Sequence, residues 1–455
     1  MALLLASQCG MAQVAGTPYM PLDKVPFSFL YGGSNADTAN DIEQTTDGGY
    51  IMAGNSYSSA NGDVTGTNHG LYDAWVVKLD ATGAIVWQKL YGGSNIDSFQ
   101  SIQQTADGGY IMAGNSYSSA NGDVTQPTNG DYDAWVVKIN ATGDIQWQKT
   151  YGGSSGDQAN IILQTADGGY IFGGPTWSSA SGDITGTNRG DRDTWVVKLN
   201  ASGNIQWQKL LGGSGGDYVV DIKQTSDTGY IFVGASISSA SGDVTPTNHG
   251  SEDFWILKLN NAGTVEWQKL MGGSALDRAN SVQLTSDGGY IVAGHSASSA
   301  SGDVTEASNG STDYWVVKLN STGAVQWQKL HGGSFKDENS SIVQTADGGY
   351  MMTGSSASPA SGDITGPAHG SFDCWVVKLD ASGDIQWEKL FGGTSSDMGK
   401  SIKVTADGNY IMLSESQSPN GDARFDTKYV YNLTEYWVVK FDTLGNILWI
   451  PYNRQ

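Results

Sequence analysis

Seven aspartates recur at one place in seven copies of a repeat: Asp37, Asp97, Asp157, Asp217, Asp277, Asp337 and Asp397. Carboxylates are hard oxygen donors, so seven of them near the axis of a ring form a candidate site for a divalent cation, Ca2+ first. The residues before each Asp drift ("NAD", "NID", "SGD", "GGD", "ALD", "FKD", "SSD") while the acid stays. A local constraint of the repeat therefore acts on it. The competing account is structural, because a carboxylate that accepts backbone N–H bonds pins a crossing loop. "NGDVTG" at 61–66 resembles the start of a calcium loop, but Tyr72 stands where its closing acid belongs, and an ordinary polar turn explains it as well.

A second constellation is aromatic. Tyr57, Tyr117 and Trp177 share one repeat position in three consecutive copies, where the other four copies carry Ile237, Ala297, Ala357 and Gln417. Tyr72 and Tyr132 add rings at the far end of the same loops, and Arg192 replaces them in the third copy. Aromatic faces stack on sugar rings, and an arginine takes a carboxylate or phosphate. These six residues are the expected ligand-binding set; the alternative is that the rings merely pack neighbouring loops.

Other chemistry is poorly supplied. His69, His249, His295, His331 and His369 fall at three different repeat positions, and no zinc spacing results. There is no GxSxG, HExxH or phosphate loop. Cys9 and Cys374 do not suggest a disulfide or a nucleophile. Paired carboxylates occur throughout by repetition and single out no glycosidase site. The expectation is a protein without catalytic residues.

The chain has 455 residues and a net charge of -22. Four repeat positions in seven copies, those of Asp37, Asp47, Asp63 and Asp73, supply 28 of its 46 acidic residues, so the acidity is largely a by-product of copying. Such a surface repels nucleic acid and anionic lipid, and no apolar run reaches the length of a membrane span. Residues 1–12, "MALLLASQCGMA", read as the tail of a secretory signal, 13–24 as a linker and 452–455 as a tail.

The elements that must position these residues follow from the period, which is 60 when the copies are aligned on "GGS". Repeats begin at 31, 91, 151, 211, 271, 331 and 391. Each holds four strand signals: residues 38–46, "YIMAGNS", "DAWVVKL" and "AIVWQKL" in the first copy. A "DGG" hairpin, a long polar loop at 57–72 and a "DATG" turn separate them. Four antiparallel strands repeated seven times predict an all-β, seven-bladed β-propeller over 25–451. Two tryptophans per copy, those of Trp75 and Trp87, should fill the gaps between blades. "FSFLYGGS" at 27–34 duplicates "WQKLYGGS" at 87–94, while "NILWI" near the other end is a second candidate for the last outer strand. One of the two must lie outside the regular pattern.

The "DGGYI", "DxWVVKLD" and "WQKxxGG" blocks resemble the β-propeller repeat proteins of Bacteroidota, many of them cargo of type IX secretion. The resemblance implies a secreted or cell-surface propeller and carries no general catalytic motif. The expected function is binding or adhesion, with a glycan or protein as ligand. The alternatives are a structural or assembly subunit among other extracellular subunits, and a carbohydrate-active enzyme. No nucleic-acid partner and no membrane insertion are expected.

Overall fold

The computed structural model of the chain describes residues 24–423 and 433–451. The expected signal segment, nearly all of the linker, Cys9 and the C-terminal tail lie outside the described residues. So does much of the loop rewritten in the last repeat. Seven four-stranded antiparallel sheets form the seven blades. In the first blade the strands are Asp37–Gln44, Tyr50–Ser56, Asp73–Leu79 and Ile85–Tyr91, in that order from the inner to the outer edge. Sequence boundaries and structure agree to within two residues.

Alternation along the strands explains why the sheets gather into a ring. Both middle strands of every blade are buried on both faces, apart from half-buried Lys440 in the last. Seven apolar clusters result, one in each gap between consecutive blades. Ile411 and Leu413 face the first blade, whereas Tyr410 and Met412 between them face the sixth. A period of two thus divides one strand between two neighbours.

Trp75 and its six counterparts are fully buried. The Trp75 indole N–H donates to Gln88 on the outer strand at 2.8 Å, so its polar edge is satisfied. Trp87 is half-buried and reaches into the next blade. Its N–H donates to the Ala141 carbonyl at 3.1 Å, and its ring lies 6.1 Å from that of Tyr110.

The ring closes with a strand from each end of the chain. Ser28–Tyr31 pairs with Glu435–Phe441 and becomes the outer strand of the seventh blade, giving the order Ser28–Tyr31, Glu435–Phe441, Tyr410–Ser416, Asp397–Val404. The "FSFLYGGS" copy is therefore the regular one. Trp449–Pro451 pairs instead with Lys24–Pro26 in a two-stranded clasp outside the blades.

Each fully paired inner strand has a bulge, at Asn40 in the first blade, which breaks the register between Ala39 and Asp41. The bulge presses the Thr38 carbonyl on Gly54, where a Cβ would collide with it. The seventh blade has Ser414 at the position of Gly54, paired with Gly399, where a Cβ would collide with Thr353 of the sixth blade.

Phe27 stands where the other copies have the Trp87-type ring, and it is fully buried beside Tyr50 with ring centres 5.9 Å apart. Phe27→Ala should lower stability by about 3–5 kcal/mol, measured by thermal or denaturant unfolding. A change within error would show that the closing strand carries little of the fold.

Candidate functional site

The seven aspartates of the Asp37 set are fully buried; six begin the inner strands, and Asp157 stands ahead of the shorter Ile161–Gln164 strand in an isolated bridge to Thr176. In the first blade one carboxylate oxygen of Asp37 accepts from the Gly33 amide at 2.7 Å and from the Ser58 hydroxyl at 3.2 Å. The other accepts from the Ser56 hydroxyl. The first Gly-Gly crossing is thereby tied to the loop that follows the second strand. Burial still outweighs these bonds and pushes the Asp37 carboxyl up to about 6. Asn61 and Asp63 of "NGDVTG" serve the same crossing: their side-chain oxygens accept from the amides of Ser34 at 2.5 Å and Gly32 at 3.4 Å.

Asp73 fixes the end of the long loop by accepting from the His69 amide at 2.9 Å. Its second oxygen is buried without a hydrogen-bond donor, as are those of Asp133, Asp193, Asp253, Asp313 and Asp373. Burial raises all six carboxyls, and Asp133, Asp193 and Asp313 reach about 6. Among the described residues no three carboxylate, imidazole or thiolate groups gather as a metal cluster. Donors occupy both oxygens of Asp37, whereas one oxygen each of Asp277 and Asp337 is buried without a donor.

The aromatic set comes together on the face where the crossing loops emerge. Tyr57 and Tyr72 lie with ring centres 4.3 Å apart, Tyr117 and Tyr132 4.5 Å apart, and Tyr132 meets Trp177 at 6.4 Å. Arg192 follows, its guanidinium 5.6 Å from the centre of the Trp177 ring. All six expected ligand-binding residues thus form one arc across the first three blades. Tyr57 is 46% exposed and the other five are half-buried, so none is a core residue. Tyr132 lies directly over Gly156, where a Cβ would clash with the ring.

The arc runs further than the loops alone predict. Arg192 also stacks on Tyr218 at 4.5 Å, and beyond it the Arg278 Nε donates to Glu252 at 2.6 Å. His295 and Lys336 continue the polar chain at 3.8 Å and 2.8 Å from Glu338. Tyr218, Arg278 and Glu338 share one position on the inner strands, where the other blades carry Thr38, Ser98, Gln158 and Met398. A comparison of blades at that position, rather than only in the loops, would have found them.

The axial channel opens on the opposite face into a cavity of about 830 Å³ lined in part by Asp41, Glu43, Ile161, Leu163, Lys223 and Lys403. Several of these side chains lace neighbouring inner strands. Glu43 accepts from the Gln104 amide at 2.6 Å, as Gln103 does from Gln164 in the next blade. Burial lifts the Glu43 carboxyl to about 7 against that amide and the nearby Lys403. Lys403 itself pairs with Asp41 at 3.4 Å, and Lys223 with Asp221 at 2.6 Å.

No known family profile matches the chain. It is similar to the regulatory protein FlaEY of Caulobacter vibrioides, with 23% identity over 315 residues, 63% of this chain and 32% of that protein. The chain thus spans about a third of that relative's length. Among solved structures, hydrazine synthase from Kuenenia stuttgartiensis aligns with a TM-score of 0.49 and 10% identity, over 96% of this chain and all of the other. BamB from Moraxella catarrhalis aligns at 0.41 and 12%, over 90% and 99%. A puromycin hydrolase aligns at 0.47 and 12%, over 91% of this chain and 53% of its own. Likeness at this level carries no argument about activity.

The buried carboxyls make stability depend on pH with a definite sign. A carboxyl whose folded value is raised to about 6, as for Asp37, Asp133, Asp193 and Asp313, destabilises the fold when ionised. That penalty is full above pH 6 and disappears as the pH falls towards the ordinary value near 4. The hairpin acids act oppositely. Burial would raise Asp47, but Lys78, Thr45 and the Gly49 amide hold it at about 2, so its contribution is lost only below about pH 4. His295, lowered to about 4 by burial, opposes the gain below its ordinary 6.5 but is outnumbered. Melting temperature should therefore rise from pH 7.5 to about 4.5 and fall below about 3.5, as calorimetry can follow. A steady fall from pH 7.5 would show that the buried carboxyls are compensated. Calcium and chelator should give the same melting temperature at neutral pH; a rise with calcium alone would place a cation among these acids.

Proposed function

We propose that the chain is a non-enzymatic, secreted or cell-surface propeller that binds a glycan or protein ligand through the crossing-loop face. The observation that carries this reading is the arc from Tyr57 to Arg192. Its rings pair within the first blade and, separately, from Tyr117 through Tyr132 to Trp177; they are not part of the core, and they occupy three consecutive blades of an otherwise repetitive ring. A row of ring faces with a guanidinium at its end suits stacking on successive sugar units. Export is supported by the apolar start of the sequence and by its resemblance to secreted Bacteroidota propellers.

One observation favours an enzyme. Glu43, raised by burial to about 7, shares a channel with Asp41, which pairs with Lys403. Their oxygens, however, are engaged by backbone amides: Glu43 with Gln104, and Asp41 with Ile42 at 2.9 Å and Ile102 at 3.3 Å. Gln103 and Asp221 fill equivalent places in other blades. The lacing of inner strands accounts for the pair without catalysis.

A glycan array on the purified protein identifies ligands. Stacking is worth roughly 0.5–1.5 kcal/mol per ring, so Trp177→Ala with Tyr117→Ala should weaken binding about tenfold or more while the melting temperature holds. If the double variant unfolds, the rings are packing residues and the arc is not a binding surface.

A further inference from the structure

We propose that the ligand of the crossing-loop face is an acidic glycan, with Arg192 receiving the carboxylate of a uronic-acid unit. This inference rests on the binding reading above and names the ligand class.

Arg192 has no counter-ion of its own. Of the three described arginines, Arg189 pairs with Asp243 and Arg278 with Glu252, whereas Arg192 pairs with no carboxylate among the described residues. Its Nε is buried without an acceptor. In a chain with 46 acidic and 24 basic residues, leaving one guanidinium unanswered is a distinct local choice.

The side chain is nevertheless held in place. Its guanidinium lies 4.5 Å from the centre of the Tyr218 ring and 5.6 Å from that of Trp177. The stem passes over Gly216 beside the Asp191 carboxylate, with which it forms no ion pair: a Cβ on Gly216 would stand 3.5 Å from Arg192 Cγ and Nε and 3.7 Å from Asp191 Oδ2. With Nε buried, a planar two-oxygen acceptor would meet the guanidinium at its terminal Nη edge.

The repeat supplies an internal comparison. Glu252 occupies in the fourth blade the position that Arg192 holds in the third. Arg278, on the inner strand of the next blade, answers Glu252 at 2.6 Å. The residue that stands in the same relation to Arg192 is Tyr218, which presents a ring and no acid. The architecture has a means of neutralising this position, and the third blade does not use it. Glu252, the acid near Tyr218, gives one oxygen to Arg278 and makes no ion pair with Arg192; its other oxygen is buried without a donor. A uronic-acid ring carries its carboxylate on the sugar itself, so one unit can stack on Trp177 or Tyr132 and reach the fork. A sulfate ester can also take a guanidinium through two oxygens, but it holds them one bond further from the sugar ring, so the sulfated sugar is the competing ligand in the test.

The test is titration calorimetry with oligosaccharides of galacturonic, glucuronic and mannuronic acid, each beside its carboxyl-reduced neutral counterpart. A sulfated neutral oligosaccharide and an aspartate-rich peptide complete the set. The expected result is that at least one uronide binds and that carboxyl reduction weakens it by about tenfold to a hundredfold. Arg192→Gln should abolish that difference, and Arg192→Lys should restore only part of it, both with unchanged melting temperatures. Equal binding of the acidic and neutral forms, unaffected by Arg192→Gln, would overturn the inference and leave the binding reading standing. Preference for the sulfated sugar or for the peptide would also overturn it. If none of these sugars binds, the inference falls, while the binding reading is decided separately by whether any ligand found on the array is lost in Trp177→Ala with Tyr117→Ala.

Discussion

Every blade has two apolar faces, and no single sheet can bury both. From this the architecture follows. Residues that alternate along the middle strands feed two different interfaces, so each blade needs a neighbour on either side. An open stack would leave two apolar faces in water, whereas a ring leaves none. The one discontinuity lies where the chain ends meet. There Ser28–Tyr31 completes the last blade and joins it to the first through Phe27 and Tyr31. A two-stranded clasp lies beside the join.

Copying a blade also copies its electrostatic cost. Each Gly-Gly crossing brings carboxylates from consecutive blades together. A Cβ on Gly92 would meet Asp73 at 2.5 Å and Asp97 at 2.8 Å, and the Gly92 amide donates to Asp123 at 3.2 Å. The glycine leaves room for the two buried acids, and hydroxyls and amides offset part of their charge. The buried oxygens left without donors recur from blade to blade because the motif recurs. On the other face the cost is low: the Asp47-type carboxylates accept from their own hairpins and pair with the Lys78-type ammonium groups.

Against that symmetry the irregular surface stands out. The rings of the first three blades, Arg192, Tyr218 and the Glu252–Arg278 pair form one path over the crossing-loop face. None of these residues belongs to the apolar clusters that join consecutive blades. Residues free of the packing constraint are the ones a repeat can vary, and a binding surface on a repetitive ring has to be built from them.

The period of 60, the four strand signals per copy and the turn glycines sufficed by themselves to specify seven four-stranded blades, because each is a local property of the chain. The candidate site was half legible in the same way: Tyr57, Tyr117 and Trp177 share one repeat position, so any closed ring sets them side by side. Three matters were decided only by tertiary structure. Either terminal copy could have supplied the last outer strand, and the choice depended on which one packs against Glu435–Phe441. The Asp37-type carboxylates lie inside the crossings, where hydroxyls and amides donate to them, a contact that sequence position alone does not reveal. The path beyond Arg192 joins an inner strand to a loop of the preceding blade, as Tyr218 meets Arg192. Sequence position does not reveal such a meeting, because the contact exists only once the twist of the sheets has brought consecutive blades face to face.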